Sequence, residues 1–586
     1  MAGLFFWKKN HQLLSKTKIS ENFSSLGYKK PHFFNNTEWE IGVFPKKKYD
    51  IANYFTKGEN MICGVGTFGY KGLVYNEALP TILHDFENGR LGHTKFWGSF
   101  IILILTQNDL FIFRDGSYLT RLYYNVEQNI FSTSFAGLIE NSNKTLSFNH
   151  DAATELLVTG LITGNETIIK EIFQLVPGYE LTYPKVIYSE PVVVGEPSDR
   201  GNAIVQQVDL VLNYYDTVLN SWYNFMPDSV IDIGATGGMD SRLSIAAGFK
   251  TTSNIELHTL WRKEGMKNSD FRYAKIIAEK TGLILNTKEI TPTLEMTDEQ
   301  LESTFQEAYN LCDGVIRPGN YWDEEYNTEK YRMNVASKAN LKLLGFGGEQ
   351  YRNEERIPLK SNRDIESWIN WEMMYHLTGD SFNVLSDKIR IKKKKKKKIS
   401  QQLGRNNLKL NLYNHKEYVK RIQTPSYRSL KATIENRVGF CVNPFLDVLL
   451  SEPAKLAIPF LGRSQSFQLD MMKNISPEIT HIPNGYGYNF LNGEPFQNKL
   501  ASILWQKLPP ALKFPLYVEY KKGNKSNYLE NLCNCFPLIG ELMKHIEDLK
   551  LPINLEKLSK TKEKSRLILN LGYFIQKNRH ILNCCR

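Results

Sequence analysis

The chain has no Cys-x-x-Cys pair, no apolar run long enough to cross a bilayer and no basic-then-apolar start, and each absence removes a class of protein. Its cysteines, Cys63, Cys312, Cys441, Cys533, Cys535, Cys584 and Cys585, are odd in number and scattered. Reduced thiols are therefore expected, and neither a disulfide framework nor a zinc site is. The most apolar run, Phe100 to Leu105, is far shorter than the roughly 20 residues that a spanning helix needs. At the start, Met1-Ala2-Gly3-Leu4-Phe5-Phe6-Trp7 comes before Lys8-Lys9, the reverse of a secretory signal. The expectation is a cytoplasmic protein with no membrane span.

What is present suits large folded cores. With 586 residues and 42% hydrophobic content, the chain has room for more than one domain. A charged fraction of 23% beside 12% aromatics excludes wholesale disorder. The net charge of +11 is moderate for this length. It is compatible with nucleotide steering or an acidic partner, and equally with solvated basic faces that have no partner.

The most informative stretch is Val230-Ile231-Asp232-Ile233-Gly234-Ala235-Thr236-Gly237-Gly238-Met239-Asp240-Ser241-Arg242. It reads as a β-branched strand, a tight loop and a helix. Adjacent glycines let backbone approach an anion, and the helix that follows aims unsatisfied N–H groups at the same place. Thr236 and Ser241 add hydroxyls. Asp240 adds a carboxylate that would repel a bare phosphate, unless a magnesium ion bridges the two. The loop lacks the Lys before Ser or Thr of a Walker motif, and it is not GxGxxG.

A second strand, Ile255 to Trp261, leads to a helix expected over Asp270 to Thr281 with Gly282 as its stop. His258 on that strand reads more readily as structural than as a ligand or base. Alternating strands and helices with glycine loops imply a parallel sheet whose ligands sit at the strands' carboxyl ends. A third strand, Leu341-Lys342-Leu343-Leu344, delivers Gly345-Phe346-Gly347-Gly348-Glu349-Gln350. Glu349 is a second candidate metal carboxylate, or else a cap at a helix N-terminus. The first 190 residues carry short apolar or β-rich runs at Phe96 to Leu105, Asp109 to Phe113, Leu122 to Tyr124 and Ile130 to Ser134, with a further strand expected over Leu175 to Leu181 after a Pro-Gly turn.

The first loop resembles the SGGxDS pyrophosphate loop of the ATP-pyrophosphatase group that contains the asparagine synthetases, with Thr236 for the first Ser. Gly345 to Gln350 resembles that family's GxGSD or GxGGDE loop, and Asn443-Pro444-Phe445-Leu446-Asp447 its PFLD segment. Asn268-Ser269-Asp270 with the following helix and Gly282 is similar to its Asp-helix-Gly segment. The early series, an MxGxF start, a GxF segment, a strand ending in Arg114-Asp115, Tyr123-Tyr124, an FxS strand and Val176-Pro177-Gly178, resembles its class II glutaminase domain. The resemblance implies an α+β Ntn-hydrolase-like sandwich over 1–190, a linker over 191–205, and an α/β adenine-nucleotide alpha-hydrolase-like domain with a helical C-terminal extension over 206–586.

It further implies ATP held by Ala235, Thr236, Gly237, Gly238, Asp240, Ser241, Thr259 and Gly345, with Mg2+ on Asp240 and Glu349. That family's glutaminase nucleophile is a cysteine at position 2, where this chain has Ala2. The glutamine-holding NGE-type segment is replaced by Gly64 to Tyr70, so no glutamine hydrolysis is expected. Two further departures touch the synthetase site. Phe346 stands where some members have an ionisable residue, and no lysine segment follows Pro459; Arg463 and Lys473 are the nearest substitutes. The function expected is adenylation of a small-molecule or peptide carboxylate followed by amide formation with an amine. As in β-lactam synthetases and lasso-peptide cyclases, that amine can lie within the same substrate, a precursor peptide among the candidates. The alternative is a nucleotide-binding homologue without turnover. Lys392 to Lys398 reads as an exposed mobile loop or an anion-binding arm, and without interleaved aromatics it speaks against nucleic acid.

Overall fold

The computed structural model describes residues 3–9, 14–49, 51–91, 96–189, 193–261, 270–289, 293–316, 339–353, 356–360, 364, 388–406, 408–462, 464–485, 495–497, 500, 503–504, 528–559 and 562–583. The fold is mixed α/β, with antiparallel sheets first, a parallel sheet after them and helices at the end.

In the first third two sheets lie face to face. One runs, in spatial order, Phe173–Gln174, Tyr123–Asn125, Ile130–Ser132, Gly3–Lys8, Trp39–Phe44 and His32–Asn35. The other runs Lys185–Tyr188, Leu110–Arg114, Phe96–Leu105, Asn60–Tyr70 and Tyr54–Lys57. The period-two alternation of a strand sorts their side chains. Leu4 and Phe6 meet Ile101, Leu103 and Leu105 between the sheets. Phe5 and Trp7 turn outward onto Ile19 and Phe23 of the helix Lys16–Ser25. Ile102 and Ile104 turn onto Leu79, Ile82 and Leu83 of the helix Ala78–Glu87. Because Phe96–Leu105 is covered on both faces, it reads as an unbroken apolar run rather than an alternating one.

The strand expected over Leu175 to Leu181 does not form; pairing stops at Gln174. Gly178 takes φ +80°, and a β-carbon there would lie 2.6 Å from the carbonyl oxygen of Gln401. The segment is a turn pressed against a helix, which removes it from the sheet.

The parallel sheet has the order Ile284–Glu289, Ile255–Trp261, Val230–Gly234, Ala339–Leu343, Phe440–Val442. The strand over Ile255–Trp261 and the helix over Asp270–Thr281 match the sequence expectation. The chain builds outward from Val230–Gly234 in one direction, then returns to add Ala339–Leu343 on its other side. The strand order reverses between these two neighbours, the place where a parallel sheet forms a crevice at its carboxyl ends. The helix Arg200–Phe225, capped by Asp199, begins inside the stretch expected as a linker. It packs Tyr215, Val218 and Trp222 on Ile231, Ile233 and Leu341.

Lys392 to Lys398 is not a loop. It lies within the helix Lys388–Leu403, where Ile391, Lys395, Ile399 and Leu403 recur at helical spacing and are buried. Acidic partners offset the repulsion, Asp151 and Glu155 on the helix His150–Thr159 and Glu166 beyond its end: Asp151 meets Arg390 and Lys394, while Lys398 reaches Glu155 at 3.0 Å and Glu166 at 2.7 Å. The C-terminal helices Tyr528–Cys535, Pro537–Asp548 and Lys562–Asn578 share an apolar cluster with Phe5, Phe23 and Leu156. Leu582–Asn583 closes the circuit by pairing with Leu146–Ser147. Among the described residues no helix is long and apolar enough to cross a membrane.

The two halves are tied together by buried polar groups. Asp447 accepts from Gly98 N at 2.5 Å, from the Tyr214 hydroxyl at 2.6 Å and from Leu449 N at 3.0 Å. Burial pushes its carboxyl up to about 6. Lys46 donates to the carbonyls of Asn436 and Gly439 at 2.9 and 2.8 Å. Asp447→Ala strands the Gly98 and Tyr214 donors in an apolar setting, and the expected loss is about 3 kcal/mol of stability. The check is the urea midpoint of the variant against the wild type.

Candidate functional site

Both glycine loops leave the sheet at the crevice, and they touch. A β-carbon on Gly345 would lie 2.8 Å from the carbonyl oxygen of Asp240 and 2.9 Å from the α-carbon of Ser241. One on Gly348 would lie 2.6 Å from Asp240 Oδ1. Gly347 takes φ +98°, with Leu446 of the Asn443 to Asp447 segment filling the space beside it. The three stretches singled out in the sequence are therefore in contact.

The first loop is internally braced. Thr236 Oγ1 and Ser241 Oγ are 2.6 Å apart, Gly238 N donates to Thr236 Oγ1 at 3.1 Å, and Gly237 N to Asp270 Oδ1 at 2.9 Å. Ala235 N donates to the His258 carbonyl at 2.8 Å, which continues the sheet. Gly485 N donates to Gly237 O at 3.2 Å, and Arg242 holds that covering segment through the carbonyls of Ile482 and Pro483.

Asp240 and Glu349 line the same open cavity of about 430 Å³. Asp240, in the first turn of the helix Met239–Thr251, is ion-paired with Arg352 and accepts from Gln468 Nε2 at 3.0 Å. Gln468 in turn accepts from Arg352 Nη1 at 2.9 Å. Glu349 lies in the short turn Gly348–Tyr351; its Oε2 accepts from Gly347 N at 3.1 Å, and its Oε1 is ion-paired with Arg428. The local capping role and the cavity-facing one thus coexist in one side chain. Lys416 Nζ donates to the carbonyls of Glu349 and Arg352, each at 2.6 Å.

The two carboxyls share one electrostatic environment and divide it unequally. Burial pushes Asp240 up to about 6, and the charge on Glu349 adds to that against the pull of Arg352. Burial also opposes ionisation of Glu349, but Arg428 and Arg352 outweigh it and hold the group down at about 2. Of the pair, Glu349 takes the negative charge first.

The rest of the wall is basic and aromatic. Arg352, Lys416, Arg428 and Lys431 face the cavity with His415, Gln423 and Tyr427. Lys431 Nζ sits 4.6 Å from the centre of the Phe346 ring. Gln423, Tyr427 and Arg428 come from the π-helical segment Val419–Arg428, whose wide turn also accommodates Pro425.

Of the residues anticipated for ATP or metal, only Asp240 and Glu349 line the cavity. Thr236, Gly237, Gly238, Ser241 and Gly345 form the braced loops beneath it. Thr259 is buried within its strand. His258 lies on the same strand, with Nδ1 2.7 Å from Asp232 Oδ1. Lys473 is not at the cavity; it sits on the helix Ser466–Ile475, 3.8 Å from Asp470. Ala2 and Arg463 lie outside the described residues, as do Asn268 and Ser269. Sequence reasoning missed Arg352, Lys416, Arg428 and Lys431. Only Arg352 carried a local signal, standing one short turn beyond the second glycine loop.

Compared with protein-family models and with curated proteins, the chain matches none.

The contact between the loops makes a steric forecast. Gly345→Ala meets backbone that cannot rotate away, and the expected loss is roughly 2–3 kcal/mol, in the range of overpacking. Gly540→Ala, in a helix interior with nothing within 4 Å of the new methyl, is expected to gain up to about 1 kcal/mol. Thermal melts of the two variants measure both signs.

Proposed function

We propose that this chain is an ATP-dependent amide ligase of asparagine synthetase-like type, forming AMP and pyrophosphate. The observation that carries the reading is that two glycine loops on neighbouring strands bring Asp240 and Glu349 to one cavity with a basic wall. The donor set fits magnesium, which takes one or two protein carboxylates and completes its shell with phosphate oxygens and water. Among the described residues no group of three or more acidic, histidine or cysteine side chains offers an all-protein site. Asp240 and Glu349 would hold the ion, and its chemistry would be neutralisation of charge on the departing pyrophosphate.

In the reaction proposed, a carboxylate oxygen of the substrate attacks the α-phosphorus of ATP and the bond to the β-phosphate oxygen breaks. An amine nitrogen then attacks the acyl carbon, AMP leaves with the bonding electrons, and the amine gives up a proton. The chain's own part is to position and to neutralise. The braced loops fix the approach to the triphosphate, and the basic wall lowers the energy of the anions formed. Residue 2 is Ala, where the family that the chain resembles has a nucleophilic cysteine, so glutamine is not the nitrogen source we assign. A small-molecule or peptide carboxylate with its own amine, joined by cyclisation, is the favoured substrate class.

A second reading is a nucleotide-binding homologue without turnover. It is favoured by Phe346, 38% exposed on the cavity wall, where it offers no acid or base. Pyrophosphate release with panels of carboxylates and peptides separates the two. A ligase is expected to release pyrophosphate in a carboxylate-dependent way, and Asp240→Ala to lower that rate about 100-fold or more. Tight MgATP binding with no release above background for any acid would select the non-catalytic reading.

A further inference from the structure

The two acidic side chains assigned to the metal are each engaged by an arginine. Arg352 and Gln468 both donate to Oδ1 of Asp240, and Arg428 meets Oε1 of Glu349. Neither guanidinium is on the surface: the Arg352 and Arg428 side chains are 10% and 17% exposed, and both line the cavity. Lys416 and Lys431 line it too, so its wall carries four basic side chains against two acidic ones.

This balance dictates what the cavity accepts. A lone divalent cation would enter a wall that is already net positive and would compete with a guanidinium for each carboxylate. A polyphosphate anion is attracted without any metal. Anion and metal together satisfy every group: the metal takes the carboxylates, and the guanidiniums turn to phosphate oxygens, whose geometry suits their paired N–H donors.

We propose that Arg352 and Arg428 are polyphosphate-binding residues that neutralise Asp240 and Glu349 in the free protein and pass to the β- and γ-phosphate oxygens when metal and nucleotide bind. The inference rests on the nucleotide reading of the cavity, yet its own content is a site for a polyphosphate anion. Binding of metal and anion is then synergistic, because each releases the group that the other needs.

The test is isothermal titration calorimetry on the full-length chain with inorganic pyrophosphate, MgATP and Mg2+ alone, with a thermal melt of every variant. Wild type is expected to bind pyrophosphate without metal, to bind it more tightly with Mg2+, and to show no Mg2+ binding alone. Arg352→Gln and Arg428→Gln should each weaken pyrophosphate and MgATP by about 10- to 100-fold, the worth of a hydrogen bond to a charged group. Arg352→Lys and Arg428→Lys keep the charge in the wall, so they carry the test if the melts show the glutamine variants unfolded, and an intermediate loss is expected. Asp240→Asn gives the opposite sign. By releasing Arg352 it should tighten metal-free pyrophosphate and abolish the gain from Mg2+.

Folded arginine variants that bind pyrophosphate and MgATP as wild type does would overturn the proposal while leaving the nucleotide reading intact. Arginine-dependent binding of pyrophosphate with no binding of MgATP would do the reverse. A wild type that binds neither anion would remove both.

Discussion

The arrangement depends on one close approach: the backbone of the Gly345 loop lies against the backbone at Asp240 and Ser241, in a space that holds no β-carbon. The Val230 and Ala339 strands are neighbours in the sheet, so their loops begin close together. Without glycine the side chains of each loop would splay the pair apart and widen the crevice. With glycine they interlock, and Leu446 closes against Gly347 from a third segment. Asp240 and Glu349 are thereby set on one wall by backbone packing rather than by their own flexible side chains, the more rigid of the two ways to hold charged groups.

Holding two carboxylates in a partly buried cavity is expensive unless each has partners. Here the partners are Arg352 with Gln468 on one side and Arg428 with Gly347 N on the other. A second buried pair behaves differently. Arg437 and Asp313 are 3.0 Å apart and each 3% exposed, with Arg437 also bonded to the carbonyls of Asn310 and Leu311 and Asp313 to Ser134 and Phe135. Burial pushes the Asp313 carboxyl up to about 7 despite those donors. Its neighbours are all structural groups, and the pair braces the junction of the helix Ser429–Val438 with the first sheet's outer layer. The Asp240 and Glu349 pairs instead line the open cavity of about 430 Å³, the setting that makes them candidates for a ligand. That difference in setting, not the presence of ion pairs, separates a site from a brace.

Much of this was legible where physics is local. The strand Ile255–Trp261, the helix Asp270–Thr281 and its glycine stop follow from periodicity and turn chemistry over a dozen or so residues. The two loops were legible because glycine beside a carboxylate is a compact signal. What stayed hidden was contributed from a distance. Lys416, Arg428 and Lys431 stand in no motif, since a cation serves from any helix that happens to pass the cavity. The lysine run misled for the same reason. Read alone, seven adjacent lysines repel one another; in the fold, Asp151, Glu155 and Glu166 lie opposite, and Ile391 and Ile399 supply a buried stripe. The Pro-Gly turn after Gln174 likewise needed the Gln401 backbone to explain why no strand continues.

The same long-range contacts explain why the N-terminal sandwich matters to the cavity although none of its described residues lines it. Asp447, which follows Leu446 directly, anchors on Gly98 of the sandwich. Arg121 reaches Ser429 Oγ at 2.7 Å and the Ser426 carbonyl at 3.0 Å, fixing the segment that presents Tyr427, Arg428 and Lys431. Lys398 ties the lysine-rich helix to Glu155 and Glu166 of the sandwich side, and Gln402 on that helix donates to the Arg421 carbonyl at 3.4 Å. Arg428 and Lys431 are thus positioned, through Arg121, by contacts that end in the first third of the molecule. The first third of the chain thereby bears on the cavity by fixing where positive charge on its wall stands.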